Sequence, residues 1–101
     1  MRTEEQRKNE MVSYFDEKVF NPAIEKGREL RNNHIIQGVK FTRMRMMQLP
    51  SDKMLGYFWS AIQGTDKSIN FSNIMKRYGI VRFEDVLEEV REKFNDDFFR
   101  N

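Results

Sequence analysis

The chain has 101 residues and a mass of 12.3 kDa, which suits one domain with one core. Nine Phe, three Tyr and one Trp argue against a disordered or low-complexity protein, although 34% of the residues are charged. No apolar run approaches the roughly 20 residues that span a bilayer, the first residues lack the apolar core of a signal peptide, and Cys is absent. A cytoplasmic protein with no membrane segment and no disulfide is therefore expected.

Charge is distributed unevenly along the chain. Residues 1–81 carry 14 basic and 9 acidic side chains, whereas residues 82–101 carry 4 basic and 7 acidic ones. The sequence thus predicts a mildly basic body with an acidic end.

Helical periodicity dominates the pattern, and prolines and glycines divide the chain into about five segments. The first, Glu4–Phe20, places Met11, Phe15 and Val19 on one side at helical spacing. Asn21-Pro22 is typical of a helix start, with an N-cap followed by proline in the first turn. A second helix is therefore expected to begin there.

The second segment, Pro22–Leu49, is harder to interpret because its apolar residues do not gather on one face. Either the helix breaks near Gly38, or it is covered on two sides, by its own core and by a partner. A strand over residues 39–47 would need a pairing strand, which the sequence does not offer.

The last three segments give clearer patterns. Pro50-Ser51-Asp52 predicts the start of a helix that runs to Gln63, and Gly64 and Gly79 are placed to end helices. Residues 71–78 carry apolar side chains at i, i+3, i+4 and i+7. In the final segment an apolar stripe runs from Phe83 to Phe98, and carboxylates cover its other side as a solvated face. The sequence therefore predicts an all-α protein, a single compact bundle of about five helices over residues 1–101.

Basic residues concentrate in the second segment, and two more lie near the end of the helix predicted over residues 71–78. Interspersed with Asn, His and Gln, they form the combination of fixed charge and neutral donors that suits phosphate contacts. The alternative is that they only solubilise a long helix, their stems covering methionines. The predicted phosphate contacts are Lys26, Arg28, Arg31, Lys40, Arg43, Arg45, Lys76 and Arg77.

A surplus of large apolar side chains is the second informative feature. Flexible thioethers and aromatic rings are common at protein contacts. The predicted interface residues are Met44, Met46, Met47, Phe98 and Phe99. An acidic aromatic end beside a basic body would also permit self-association of identical copies head to tail.

Catalytic signals are weak. His34 is the single histidine, and its pairing with Arg28 is similar to the Arg…His pair of HEPN-type ribonucleases. A surface histidine is the simpler interpretation, because catalytic sites need several convergent groups. No Gly-rich phosphate loop, calcium loop or zinc-binding motif occurs. We therefore expect no enzyme activity, no cofactor and no metal.

Residues 11–31 support a family resemblance. The run with Tyr14-Phe15, Val19-Phe20 and Ala23, followed by Arg28 and Arg31, resembles the helical C-terminal region of type I-D CRISPR large subunits, which also yields a separate small subunit. The resemblance implies a non-enzymatic helical subunit that stacks in several copies and holds the displaced strand or the guide–target duplex. Specificity would then come from base pairing and not from the protein.

The leading hypothesis is therefore a small helical subunit that binds nucleic-acid backbone, DNA or RNA, within a larger antiviral assembly of other protein subunits. The alternative is a protein-interaction module, for example a phage or mobile-element regulator that docks on a partner protein. A ribonuclease that depends on His34 is the third hypothesis.

Overall fold

The architecture is a bundle of helices, seen in a computed structural model that describes residues 2–64 and 68–98, the last four through their backbone alone. Within those ranges the chain forms no strand, and the prediction of an all-α bundle is confirmed. The helical elements are α1 (Glu4–Phe15), a π segment (Asp16–Phe20), α2 (Asn21–Glu29), α3 (Asn33–Met47), α4 (Ser51–Gln63), α5 (Ile69–Tyr78) and α6 (Phe83–Phe98).

Helix α1 begins at a capping box. The backbone N–H of Gln6 donates to the Thr3 hydroxyl oxygen at 3.1 Å, and the Gln6 side chain accepts from the Thr3 backbone N–H at 2.9 Å. Two amides that have no partner inside the helix are satisfied in this way. The cap fixes the start of the longest continuous helical run in the described chain.

That run passes through Asn21-Pro22, so the prediction of a new helix start there is wrong. The backbone N–H of Asn21 donates to the carbonyl of Asp16, five residues back, and Pro22 follows without an N–H to donate. A π turn widens the helix by one residue, which accommodates a proline without ending the helix. The extra residue also rotates the following side chains about the helix axis, so that the adjacent residues Val19 and Phe20 are both buried.

The break between α2 and α3 lies at residues 30–32 and not at Gly38. Gly38 is inside α3, where a Cβ atom would lie 2.6 Å from the Cβ of Asn70 in α5. This glycine therefore allows α3 and α5 to approach closely. Helix α3 is covered by α2 on one side and α5 on another, both from its own chain, which explains why its apolar residues do not share one face.

Four phenylalanine rings join the helices at the centre of the core. Phe15 packs edge-on against Phe58 with centroids 5.1 Å apart, and Phe71 lies 5.9 Å from Phe20 and 6.4 Å from Phe58. All four rings are fully buried. Aromatic pairs at these separations add to the gain from area burial, so the cluster holds α4 and α5 firmly against the first helical run.

The remaining boundaries follow the predicted signals. Gly64 and Gly79 end α4 and α5 with positive φ angles of 88° and 57°. Helix α4 begins at Ser51, whose backbone N–H and hydroxyl both donate to the Glu4 carboxylate. A carboxylate from α1 therefore caps α4, and these hydrogen bonds hold the pKa of Glu4 below its usual value.

Helix α6 packs against α4 along the predicted apolar stripe. Val86, Val90 and Phe94 are buried, and the Phe83 ring lies 4.5 Å from that of Trp59. The radius of gyration is 13.4 Å, close to the value of about 13 Å for a compact domain of 100 residues.

Candidate nucleic-acid interface

The predicted phosphate-binding residues fall into two groups. The first, which we name the basic end, comprises the last turns of α2 and α5 and the loop between α2 and α3; its members are Lys26, Arg28, Arg31, Lys76 and Arg77. The second lies in α3 and comprises Lys40, Arg43 and Arg45.

Arg43 differs from the others because a carboxylate already holds it. Its Nε and an Nη donate to the two carboxylate oxygens of Asp16 at 2.6 and 2.8 Å, which ties α3 to the π segment. This pairing raises the pKa of Arg43. The geometry indicates a structural ion pair, so we remove Arg43 from the set of phosphate contacts.

Several other cations have no such partner. Within residues 2–64 and 68–94, no carboxylate lies within 4 Å of the charged groups of Arg28, Arg31, Lys40 or Arg77. Three of these four belong to the basic end, and all four are exposed. They carry fixed positive charge that is not neutralised within the described chain.

The remaining predicted cations make weaker contacts. Lys26 pairs with Glu29 at 3.0 Å, and the Lys76 ammonium lies 3.4 Å from the Gln63 carbonyl oxygen. The Arg45 guanidinium lies 5.6 Å from the centroid of the Phe41 ring. Exposed contacts of this kind contribute little and break at small cost, so these cations can turn toward an anion.

Arg31 occupies the position that ends α2, and it does so in the left-handed region with φ at 52°. Its N–H donates to the carbonyl of Arg28 at 3.0 Å, and the N–H of Asn32 donates to that of Gly27 at 3.0 Å. These two bonds are the Schellman motif, in which the left-handed residue is usually glycine. Asn32 then caps α3, its side-chain oxygen accepting from the Ile35 N–H at 3.2 Å.

A cavity forms where this loop meets the end of α5. It has a volume of about 250 Å³, and Leu30, Asn73, Arg77 and Tyr78 are among the residues that line it. The Lys26 ammonium lies 5.3 Å from the centroid of the Tyr78 ring. The fold therefore brings residues that are about 50 positions apart in sequence together at the basic end.

The predicted protein-interface residues are divided by the fold. Met44 is 49% exposed on α3, and Met47 is partly buried against the core. The prediction for Met46 is wrong, because its side chain is fully buried and it packs inside the bundle. The Phe98 side chain and Phe99 lie outside the described residues.

The acidic helix α6 presents the predicted carboxylate face, with Glu88, Glu89 and Glu92 exposed. One of them has a defined structural role, because the Tyr14 hydroxyl donates to Glu89 at 2.9 Å. Burial, followed by this hydrogen bond, raises the pKa of Tyr14. The bond ties α6 to α1.

His34 and Arg28 lie on different helices, on either side of the loop at residues 30–32, and both are exposed. No group of three or more His, Asp or Glu side chains in the described part of the chain is placed to hold a metal ion. In the same residues, no helix is long and apolar enough to cross a membrane.

Two aromatic residues were missed as surface features. Sequence periodicity assigns Trp59 and Tyr78 to apolar helix faces, yet they are 45% and 37% exposed. Two basic neighbours of Tyr78 in the sequence, Lys76 and Arg77, were a signal that it lies at the edge of the bundle.

No family model matches the chain, and no curated protein or solved structure is significantly similar to it.

Proposed function

We propose that this chain binds nucleic-acid backbone through its basic end, without regard to sequence, as a non-catalytic subunit of a larger assembly. The observation that carries the proposal is the set of exposed cations without a carboxylate partner in the described chain. Three of them, Arg28, Arg31 and Arg77, belong to the basic end. Arginine suits phosphate because its planar group can donate two parallel hydrogen bonds to phosphate oxygens.

Helix dipoles alone do not account for this arrangement. Cations in the last turns of α2 and α5 favour the helix ends by about 0.3–1 kcal/mol each. Arg31, however, lies beyond the end of α2, in a backbone conformation that favours glycine. Lys40 lies within α3, away from its last turn. A bound anion that contacts both Arg31 and Lys40 would explain why cations stand at these two positions, which the helix dipoles do not explain.

The setting that we propose follows from the resemblance of residues 11–31 to CRISPR type I-D subunits. Several copies side by side would extend the basic surface along one strand or duplex, while base pairing supplied specificity. The small size of the basic end supports a repeated subunit, because a few phosphate contacts per copy bind weakly alone at physiological salt.

A salt titration tests backbone binding directly. Fluorescence anisotropy would follow the binding of labelled single strands and duplexes of two unrelated sequences at several salt concentrations. We expect similar affinities for the two sequences. The logarithm of the association constant should fall linearly with the logarithm of the salt concentration. Binding that depends on sequence, or that is absent at low salt, would contradict the proposal.

Matched variants separate a defined surface from general attraction by net charge. In the test variant Arg31→Gln and Arg77→Gln are combined; in the control, Lys8→Gln and Lys53→Gln remove the same charge from α1 and α4. We expect the test variant to lower the magnitude of the salt slope by about 1.4–1.8, at 0.7–0.9 per lost phosphate contact. The control slope should stay near that of the wild type. Equal losses in both would assign the binding to net charge alone.

The exposed Met44 favours a second candidate, a module that docks on a partner protein. Phe41 lies beside it on α3 and is 37% exposed, so the two form a small apolar area on the surface. This candidate predicts no affinity for polyanions. It also predicts association with a partner that is lost in Met44→Gln but retained in the double variant Arg31→Gln with Arg77→Gln.

A further inference from the structure

The cavity at the basic end is lined by both apolar and polar side chains. Leu30, Ile35 and Ile74 supply aliphatic lining, Tyr78 supplies an aromatic ring, and Asn73 and Arg77 supply hydrogen-bond donors. Leu30 and Tyr78 are 39% and 37% exposed, so two large apolar side chains stand open to solvent at this one place. Ligand sites commonly combine apolar and aromatic surface with polar groups that fix the orientation of the ligand.

The volume restricts what can enter. About 250 Å³ is less than the 300–1,000 Å³ of pockets for drug-sized ligands. The space therefore suits a single flat ring system and not an apolar helix face or a folded ligand. A nucleobase is flat, apolar on its faces and polar at its edge, which matches the aromatic ring and the Asn73 amide.

The charges around the cavity are positive. Among the described residues, none of those that line it carries a carboxylate, and Glu29, which precedes Leu30 in the chain, is paired with Lys26. The Lys26 ammonium, 5.3 Å from the centroid of the Tyr78 ring, adds a second positive charge beside the cavity. Arg31 lies between Leu30 and Asn32, both of which line the cavity, so its Cα atom is about 3.8 Å from theirs. An anion attached to the entering ring would therefore meet at least two cations.

We infer that this cavity holds one unstacked base of a single-stranded nucleic acid, stacked on Tyr78, with the flanking phosphates on Arg31 and Arg77. The inference rests on the proposed backbone binding and deepens it, because it names the class of strand. A base in a duplex is already stacked and paired, and it enters the cavity only at the cost of leaving the helix. The basic end therefore selects single strands over duplexes.

Three labelled ligands test this inference: a thymine strand, a strand of the same length and phosphate number with abasic sites, and a duplex whose two strands together carry that number of phosphates. We expect the wild-type protein to bind the thymine strand about 5- to 150-fold more tightly than the abasic strand, the range that base–aromatic stacking provides. The variant Tyr78→Leu should reduce this ratio to near one and leave affinity for the abasic strand and the duplex unchanged. Tyr78→Phe should preserve the ratio.

The outcomes are distinguishable. Salt-dependent binding with a wild-type ratio near one would overturn the base pocket and leave backbone binding intact. Absence of salt-dependent binding to all three ligands would overturn both proposals. A ratio that persists in Tyr78→Leu would show that bases stack elsewhere on the protein. The comparison of ligands with the wild-type protein does not depend on the folding of any variant.

Discussion

Replacement of Arg31 by glycine should make the protein more stable and, at the same time, weaken its binding to nucleic acid. Arg31 ends α2 in the left-handed region, with φ at 52°. A side chain there crowds the following carbonyl oxygen, whereas glycine has no Cβ atom to crowd it. The side chain is exposed and has no hydrogen-bond or ion-pair partner in the described residues, so its removal breaks no polar contact within them.

The magnitude follows from two opposing quantities. The left-handed conformation costs a non-glycine residue roughly 1–2 kcal/mol. Glycine loses more backbone entropy on folding, which costs about 0.5–1 kcal/mol. The variant Arg31→Gly should therefore gain about 0.5–1 kcal/mol in the free energy of unfolding, which corresponds to a rise in Tm of about 4 °C.

The assay is urea unfolding followed by far-UV circular dichroism, with Arg31→Ala as the matched control. Alanine removes the same charge but retains the Cβ atom, so Arg31→Ala should be less stable than Arg31→Gly by about 0.5–1 kcal/mol. In the anisotropy titration both variants should lower the magnitude of the salt slope by about 0.7–0.9. Arg31→Lys keeps the charge and should retain most of the binding.

Equal stability of the glycine and alanine variants would refute the left-handed geometry at the end of α2. An unchanged salt slope in both would remove Arg31 from the phosphate contacts. The two measurements are independent, so the structural reasoning and the functional reasoning can fail separately.

Three further predictions concern the packing of the helices. In Gly38→Ala the new Cβ atom meets α5, so the free energy of unfolding should fall by about 1 kcal/mol in urea titrations, despite the better helix propensity of alanine. Arg43→Met leaves a carboxylate in the π segment unpaired; we expect a loss of about 1 kcal/mol by the same measurement and an unchanged salt slope for nucleic acid. Glu4 accepts hydrogen bonds from Ser51, which lower its folded pKa below 4.5, so the stabilisation is complete at neutral pH and is lost as the pH falls through the folded pKa. The stability difference between the wild type and Glu4→Gln, measured as a function of pH, should accordingly vanish in acid.

Each of these predictions has a control or a result that contradicts it. Gly56→Ala is the control for Gly38→Ala, because its new Cβ atom would meet no other helix of the described residues within 4 Å, and it should gain up to about 1 kcal/mol. A nucleic-acid salt slope that falls in Arg43→Met would return Arg43 to the phosphate contacts. A difference between the wild type and Glu4→Gln that is constant from neutral pH to acid would show that the carboxylate does not cap α4.

Sequence periodicity predicted most of the helices of the bundle but not how the first three are connected. Local signals such as Gly64 and Gly79 are informative because the tolerance of a positive φ angle is a property of glycine itself. Asn21-Pro22 misleads for the same reason: its local signal favours a helix start, and only the π turn, with Val19 and Phe20 packed in the core, explains why the helix continues. The break near Arg31 was not predicted: arginine gives no local signal for the left-handed region, and the one signal present, Asn32 as the N-cap of α3, was not used.

The candidate site shows the same division. The concentration of cations between Lys26 and Arg45 is visible in the sequence, because composition needs no structure. The sequence does not show which of these cations is available to bind phosphate. Arg43, for example, is paired with a carboxylate 27 residues away in the sequence. The cavity at Tyr78 is likewise formed by segments that meet only in the folded chain.

The sequence by itself determined that this protein is helical, that it is basic over its first four-fifths, and where most of its helices end. These properties follow from side-chain spacing, charge and backbone preference, each of which acts within a few residues. Tertiary structure alone decided that the first two helices are continuous, that Met46 is buried and Met44 exposed, and that Tyr78 lies beside Lys26 and Arg77. Those outcomes depend on which faces pack together, and packing is a property of the whole core.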